Sequence, residues 1–219
     1  MSREDSGTRR HILDVVETMI SEDGGNRIQI SEVANRANVA VQTIYYHFES
    51  RGHLFAEAQA SVYLKLIVPL HQFLSRAEVA LEARDEEAFL RAVGENIAMA
   101  WSLGQIDGGW RITKLLMDVW SHPKTRRSFC NSIDVQVDRW IGAIESSQGL
   151  GWVPDDLDVM ALVASCWAGS IGQAIFSGST RIQSSPESIR DYFMRIVAKD
   201  PAALGHFGSA GPASRALED

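Results

Sequence analysis

The stretch VQTIYYHFESRGHL, residues 41–54, gathers hydrogen-bonding and aromatic side chains into one short segment of an acidic chain. Wound at 3.6 residues per turn, it sets Val41, Ile44, Tyr45 and Phe48 on one arc and Gln42, Thr43, Tyr46 and His47 on the other. The first arc can bury, with Ile44 and Phe48 as core residues and Tyr45 at its border. The second presents donors and acceptors that nothing nearby in sequence satisfies, so their partner must come from outside the segment. The chemistry on offer is recognition. A glutamine such as Gln42 can pair bidentately with adenine, and Thr43 offers a hydroxyl and a methyl to base edges. Tyr45, Tyr46 and His47 can donate to phosphate oxygens, contacts that fix register without reading sequence. Ser31 with the free N–H groups opening one helix, and Arg51 beside those opening another, suit further phosphates.

Positioning these groups requires helices. From about residue 11 to 20, Ile12, Leu13, Val16, Met19 and Ile20 keep helical spacing, and Gly24 and Gly25 break it. Ser31 is the expected N-cap of a second short helix that buries Val33, Ala34 and Ala37. Asn38 tolerates the left-handed backbone of a sharp turn, and the opening stretch then forms the third helix. Ser50 is the expected cap of a fourth, carrying Leu54, Phe55, Ala58, Val62 and Leu66, which Pro69 should end or kink near Val68. Three short helices with a tight turn before the third describe a helix-turn-helix, whose second member enters the DNA major groove. Further helices are expected over 86–101, 110–122, 124–146, 154–176 and 186–198. No strand alternation persists, so the expected fold class is all-α.

The residues ISEVANRANVAVQTIYYHFESRGHL resemble the DNA-binding segment of the TetR (tetracycline-repressor-like) regulators, over about residues 10 to 60. That family shows an isoleucine–alanine second helix, a Gly-Val-Ser turn, then Thr-Leu-Tyr-x-His-Phe and a Ser-Lys pair. Here Asn38 stands for the glycine, Ala40 for the serine that would cap helix three, and Arg51 for the lysine. The resemblance implies that Ser31, Gln42, Thr43, Tyr45, Tyr46, His47 and Arg51 contact double-stranded DNA. It also implies an effector cavity among helices four to eight and a dimer built from the last two helices. Beyond residue 60 it rests on helix order alone.

Composition sets bounds on this reading. The net charge of −7 counts against nucleic acid, and the first 55 residues carry six arginines, no lysine and eight acidic groups. Any basic patch must therefore come from placement. Two distant cysteines, Cys130 and Cys166, argue against disulfides and fit a reducing cytoplasm. The sequence has no GxxxxGK[ST], GxSxG or HExxH pattern, so neither an enzyme nor a cofactor or metal is expected.

Residues 159–180 carry no charge over a length that could span a bilayer. On a helix, Ala161, Ala164, Ser165, Ala168, Gly169 and Gly172 form a small-residue stripe opposite Met160, Val163, Trp167, Ile171 and Ile175. A helix buried on both sides accounts for this better than a membrane span, the large face filling its own core and the small face admitting another helix. With the amphipathic segment after Ser185-Pro186-Glu187 (Ile189, Tyr192, Phe193, Ile196 and Val197), two such helices per subunit would make a four-helix homodimer interface. All six tryptophans follow residue 100. Trp101, Trp110, Leu116, Met117, Trp120, Phe129, Trp140 and Trp167 are the candidate lining of an apolar or aromatic effector site.

The expectation is a helix-turn-helix domain over 1–54, a helical effector-binding and dimerisation domain over 55–200, and a flexible tail over 201–219. Its expected function is ligand-responsive regulation of transcription, as a repressor on a pseudo-palindromic operator. Two rivals stand beside it: a protein-interaction module using the helix-turn-helix as scaffold, and an enzyme acting in a tryptophan-rich cavity.

Overall fold

The computed structural model describes residues 3–23, 28–105, 110–176, 179 and 184–200. The expected breaks at Gly24–Gly25 and the tail over 201–219 lie outside the described residues. Among those described, ten α-helices follow one another without a strand: α1 (Arg3–Asp23), α2 (Ile30–Ala37), α3 (Val41–His47), α4 (Arg51–Leu66), α5 (Val68–Ala83), α6 (Glu86–Leu103), α7 (Trp110–Trp120), α8 (Pro123–Gly149), α9 (Val159–Ile175) and α10 (Pro186–Val197). None is long and apolar enough to cross a membrane.

Local chemistry explains most of the boundaries. Ser50 accepts a hydrogen bond from the His53 N–H and starts α4, while Asp85, Asp158 and Ser185 cap α6, α9 and α10 through their side chains. Pro69 sits in the first turn of α5, where its missing N–H costs nothing, and α4 has ended at Leu66. The cap of α2 differs from expectation. Gln29, in extended backbone and without a side-chain bond, is the N-cap, and Ser31 lies inside the first turn. Residues 154–157, expected to be helical, precede the Asp158 cap.

Helix α5 is not among the expected elements, although Leu70, Phe73, Leu74, Ala77, Ala80 and Leu81 recur at helical spacing. This helix packs on α6 and carries Leu74 and Ala77 into full burial.

Two apolar cores result. One joins Ile12, Val16, Ile44, Phe48 and Leu54 to Ile112, Leu115, Val119 and Phe129, so the core of the first three helices continues through α4 into α7 and α8. The other gathers Leu74, Phe89, Leu90, Trp140, Trp152, Val163 and Met194. Trp167 packs against both. The division expected at residue 54 thus falls inside α4, whose buried residues share one core with α1–α3.

Ion pairs fasten α1 to α4: Arg9 to Glu57, and Lys65 to the buried Glu17. Gly52, at the start of α4, lies against the corner between α7 and α8, where an added Cβ would come within 2.6 Å of His122 Nε2.

The turn between α2 and α3 gives the first prediction. Asn38 is left-handed, with φ 51° and ψ 46°, and its N–H bonds to the end of α2. Asn38→Gly should leave stability near wild type, whereas Asn38→Val should lower it by about 1–2 kcal/mol in urea unfolding. Ala40, which starts α3 without a side-chain hydrogen bond, should act oppositely, Ala40→Ser gaining about 1 kcal/mol in the same assay.

A candidate nucleic-acid interface and an apolar cavity

Helix α3 is held from beneath. Ile44 and Phe48 are fully buried in the core under α1 and α2, and the Arg9 guanidinium lies 4.8 Å from the Phe48 ring centroid. The N–H of Val39 bonds to Ala34 O at 3.0 Å and that of Thr43 to Ala40 O at 2.9 Å, which fixes the angle at which the third helix leaves the second. With those anchors inward, Gln42 and Tyr45 are exposed, Tyr46 is 75% exposed, and Thr43 and His47 are half-buried at the rim. Tyr46 and His47 meet edge to face at 5.1 Å. The surface so formed is polar, aromatic and projecting.

Arg51 is placed with less freedom. Its Nη2 donates to Ile28 O at 3.0 Å, and its guanidinium lies 4.5 Å from the Phe55 ring centroid. Ser31 is exposed in the first turn of α2. The structure adds a residue that sequence spacing could not supply. Lys124, opening α8, pairs with Glu49 at the end of α3 and holds its carboxyl below the usual carboxylate range. The pair sets a cation beside an acidic group that would otherwise stand alone at the edge of this surface.

A second feature lies between α4, α5, α6, α8 and α9. Tyr63 and Leu66 of α4, with Ile67 just after it, line a cavity together with Trp101, Trp140 and Trp167. The other tryptophans and their neighbours are elsewhere. Trp120 is exposed and meets the buried Phe129 edge to face at 6.0 Å, Met117 is exposed, and Leu116 packs on the first core. None of these four lines the cavity, and the Phe129 ring meets that of Tyr63 edge to face at 5.3 Å. Trp110 opens α7, and its side chain lies outside the described residues. Sequence reasoning missed His71, Asn96 and Gln136, which also line the cavity. Asn96, next to Ile97 on an apolar arc, was legible as an inward polar group; His71 was not, because α5 went unrecognised.

The proposed dimer face divides. Ala161, Ser165 and Ala168 are exposed, Gly172 has open space beside it, and on α10 Tyr192 and Ile196 are exposed while Ile189 is half-buried. Two positions turn inward instead. An added Cβ on Gly169 would fall 2.7 Å from the Trp101 ring, and Phe193 is buried at the cavity. On the stripe expected to be internal, Val163 is buried, but Met160 and Ile175 are 59% and 56% exposed. The exposed apolar face of α9 is therefore wider than the small-residue stripe.

Among the described residues, the helices open on a helix-turn-helix and enclose a cavity beside the fourth. Residues 12–58 match the family described as bacterial regulatory proteins, tetR family. It is 40% identical over 50 residues to the HTH-type transcriptional regulator AcrR of Shigella flexneri, covering 23% of each chain. It is 42% identical over 52 residues to the HTH-type transcriptional repressor KstR of Rhodococcus jostii, covering 24% of each. The match thus spans about a quarter of these relatives. Over its whole length the fold resembles that of a TetR-family transcriptional regulator from Mesorhizobium loti, at 17% identity, TM-score 0.56, covering 93% of this chain and 96% of that one.

His71 supplies a pH prediction. Burial, and secondarily the charge of Arg139, hold its imidazole below the ordinary value of 6.5. The unfolded chain takes up that proton at the ordinary value while the folded chain resists it. The contribution to stability is therefore intact above about pH 6.5 and lost as pH falls. Urea midpoints measured from pH 7.5 to 5 should fall less steeply in His71→Phe than in wild type.

Proposed function

We propose that this chain is a ligand-responsive transcriptional repressor that binds a pseudo-palindromic operator as a homodimer. The observation that carries the reading is the split personality of α3: Ile44 and Phe48 are fully buried while Gln42 and Tyr46 stand in solvent on the same two turns. A helix pinned so firmly and displaying that surface is suited to lie in a major groove, with Gln42 and Thr43 toward base edges. Tyr45, Tyr46, His47, Arg51 and Ser31 serve the phosphates on either side.

The apolar face of α9 and α10, with Met160, Ala161, Ala168, Ile175, Tyr192 and Ile196 outward, supports pairing of two copies through four helices. Two recognition helices about 34–36 Å apart would then reach successive major grooves. A small apolar or aromatic effector in the cavity contacts α4, the same helix that opens beside α3 at Ser50 and Arg51. Binding that favours a different set of α4 would shift the population away from the DNA-spaced form. A dimer doubles the net charge of −7, so specific contacts must outweigh the general repulsion, and affinity should fall steeply with salt.

Selection of bound fragments from genomic DNA by the purified protein tests the reading, and recovery of one recurrent inverted repeat is the expected result. Enrichment of no sequence would end it and favour a protein-binding scaffold. On the recovered site, Tyr46→Phe and Arg51→Ala should weaken binding to all sequences alike. Gln42→Ala should cost about 1–3 kcal/mol at one base position and relax preference there, as gel shifts on single-base variants of the site would reveal.

A further inference from the structure

The cavity contains an internal asymmetry that its apolar character hides. Among the described residues its lining has no aspartate, glutamate, lysine or arginine. Its ionisable groups are kept uncharged as well: burial pushes the Tyr63 phenol and the Cys166 thiol each up to about 12, and lowers the His71 imidazole. Yet three lining side chains, from three different helices, each hold a buried polar atom without a hydrogen-bond partner among the described residues. They are His71 Nε2 on α5, Asn96 Oδ1 on α6 and Gln136 Oε1 on α8. A buried acceptor left unmade is costly, and interiors keep few of them. Three of them on one cavity, beside the rings of Trp101, Trp140 and Trp167, form a polar set awaiting its complement.

We propose that the cavity takes an uncharged aromatic or fused-ring molecule bearing hydroxyl groups, which donate one proton each to Asn96 Oδ1 and Gln136 Oε1, with His71 Nε2 as a further partner. This rests on reading the cavity as the effector site, and it names the effector's chemical class. A hydroxyl suits all three positions because it both donates and accepts, so it satisfies either tautomer of the imidazole. A carboxylate or ammonium ligand would leave water for a wall with no countercharge. A bare hydrocarbon would fill the space and leave the three polar atoms as they are, and a site built to bond an O–H discriminates strongly against an analogue lacking it.

The test uses the full chain and four matched probes: 2-naphthol, naphthalene, 2-methoxynaphthalene and 2-naphthoate, followed by calorimetry and by thermal melting. 2-Naphthol should bind at least about tenfold more tightly than each of the other three, the difference expected of one buried hydrogen bond. The single hydroxyl of 2-naphthol donates to one acceptor, so at least one of Asn96→Leu and Gln136→Leu, and the double variant in every case, should bring 2-naphthol down to the level of naphthalene; an advantage retained in the double variant would overturn the proposal. Without ligand the single variants should melt no lower than wild type, because each removes an unmade bond at nearly constant volume; a merely structural role would lower the melting temperature instead. The wild-type ranking decides the matter even if a variant fails to fold. Equal binding of naphthalene or 2-methoxynaphthalene, tighter binding of 2-naphthoate, or binding of none of the four would overturn the proposal. DNA selection without ligand is scored separately, so a chain that selects an operator but ranks the probes otherwise refutes this inference alone.

Discussion

Helix α4 is short of solvent-facing surface, and most of the molecule is arranged around that shortage. Along its length Leu54, Phe55, Ala58 and Tyr63 are buried, the first three in the core shared with α1–α3 and the last against Phe129 of α8. Its C-terminal end, at Leu66 and Ile67, closes one wall of the cavity. A helix gripped on both sides moves as a rod, since a packed interior resists continuous deformation. Small residues make the grip close. Gly52 admits the His122 ring, and Ala56, Ala58 and Ala60 let neighbouring backbones approach. The ties of Arg9 to Glu57 and of Lys65 to Glu17 bind the same rod to α1, so the candidate DNA surface and the cavity wall share one support.

The acidity of the chain looks different once its charges are placed. Much of the carboxylate near the candidate DNA surface is already engaged: Glu57 by Arg9, Glu49 by Lys124, and Glu22 and Glu32 by Arg36. Arg51 is oriented by a backbone carbonyl and an aromatic face rather than by a carboxylate, so its position is fixed by contacts that leave its charge in place. A bulk count cannot register this, because electrostatic attraction at short range depends on arrangement, and distant acidic groups are screened within about 8–10 Å at ordinary salt.

What the sequence made legible follows from which interactions are local. The helix-turn-helix could be read because its determinants sit within a few residues of one another: Asn38 adopting a left-handed turn, Ser50 capping α4, and Ile44 with Phe48 on one arc. Ser31 misled because a capping residue type two positions past the true cap, Gln29, looks the same in sequence as a cap. The long-range features were not readable. Nothing near Lys124 says that it meets Glu49, and nothing near Gly169 says that a tryptophan ring occupies the space its Cβ would take. Phe193 shared the spacing of its exposed neighbours on α10 but turned to the interior, because one amphipathic stripe must serve both its own core and whatever covers the outer face.

The distribution of indole rings has a practical consequence. None occurs before residue 101, so α1 to α4 carry no such ring, while three stand at the cavity wall. Excitation in the red edge of the ultraviolet band would therefore illuminate only the C-terminal part of the chain. Emission would register whatever enters between α6, α8 and α9 without any attached dye, and a dye on the polynucleotide would register docking at the opposite end through a separate colour channel.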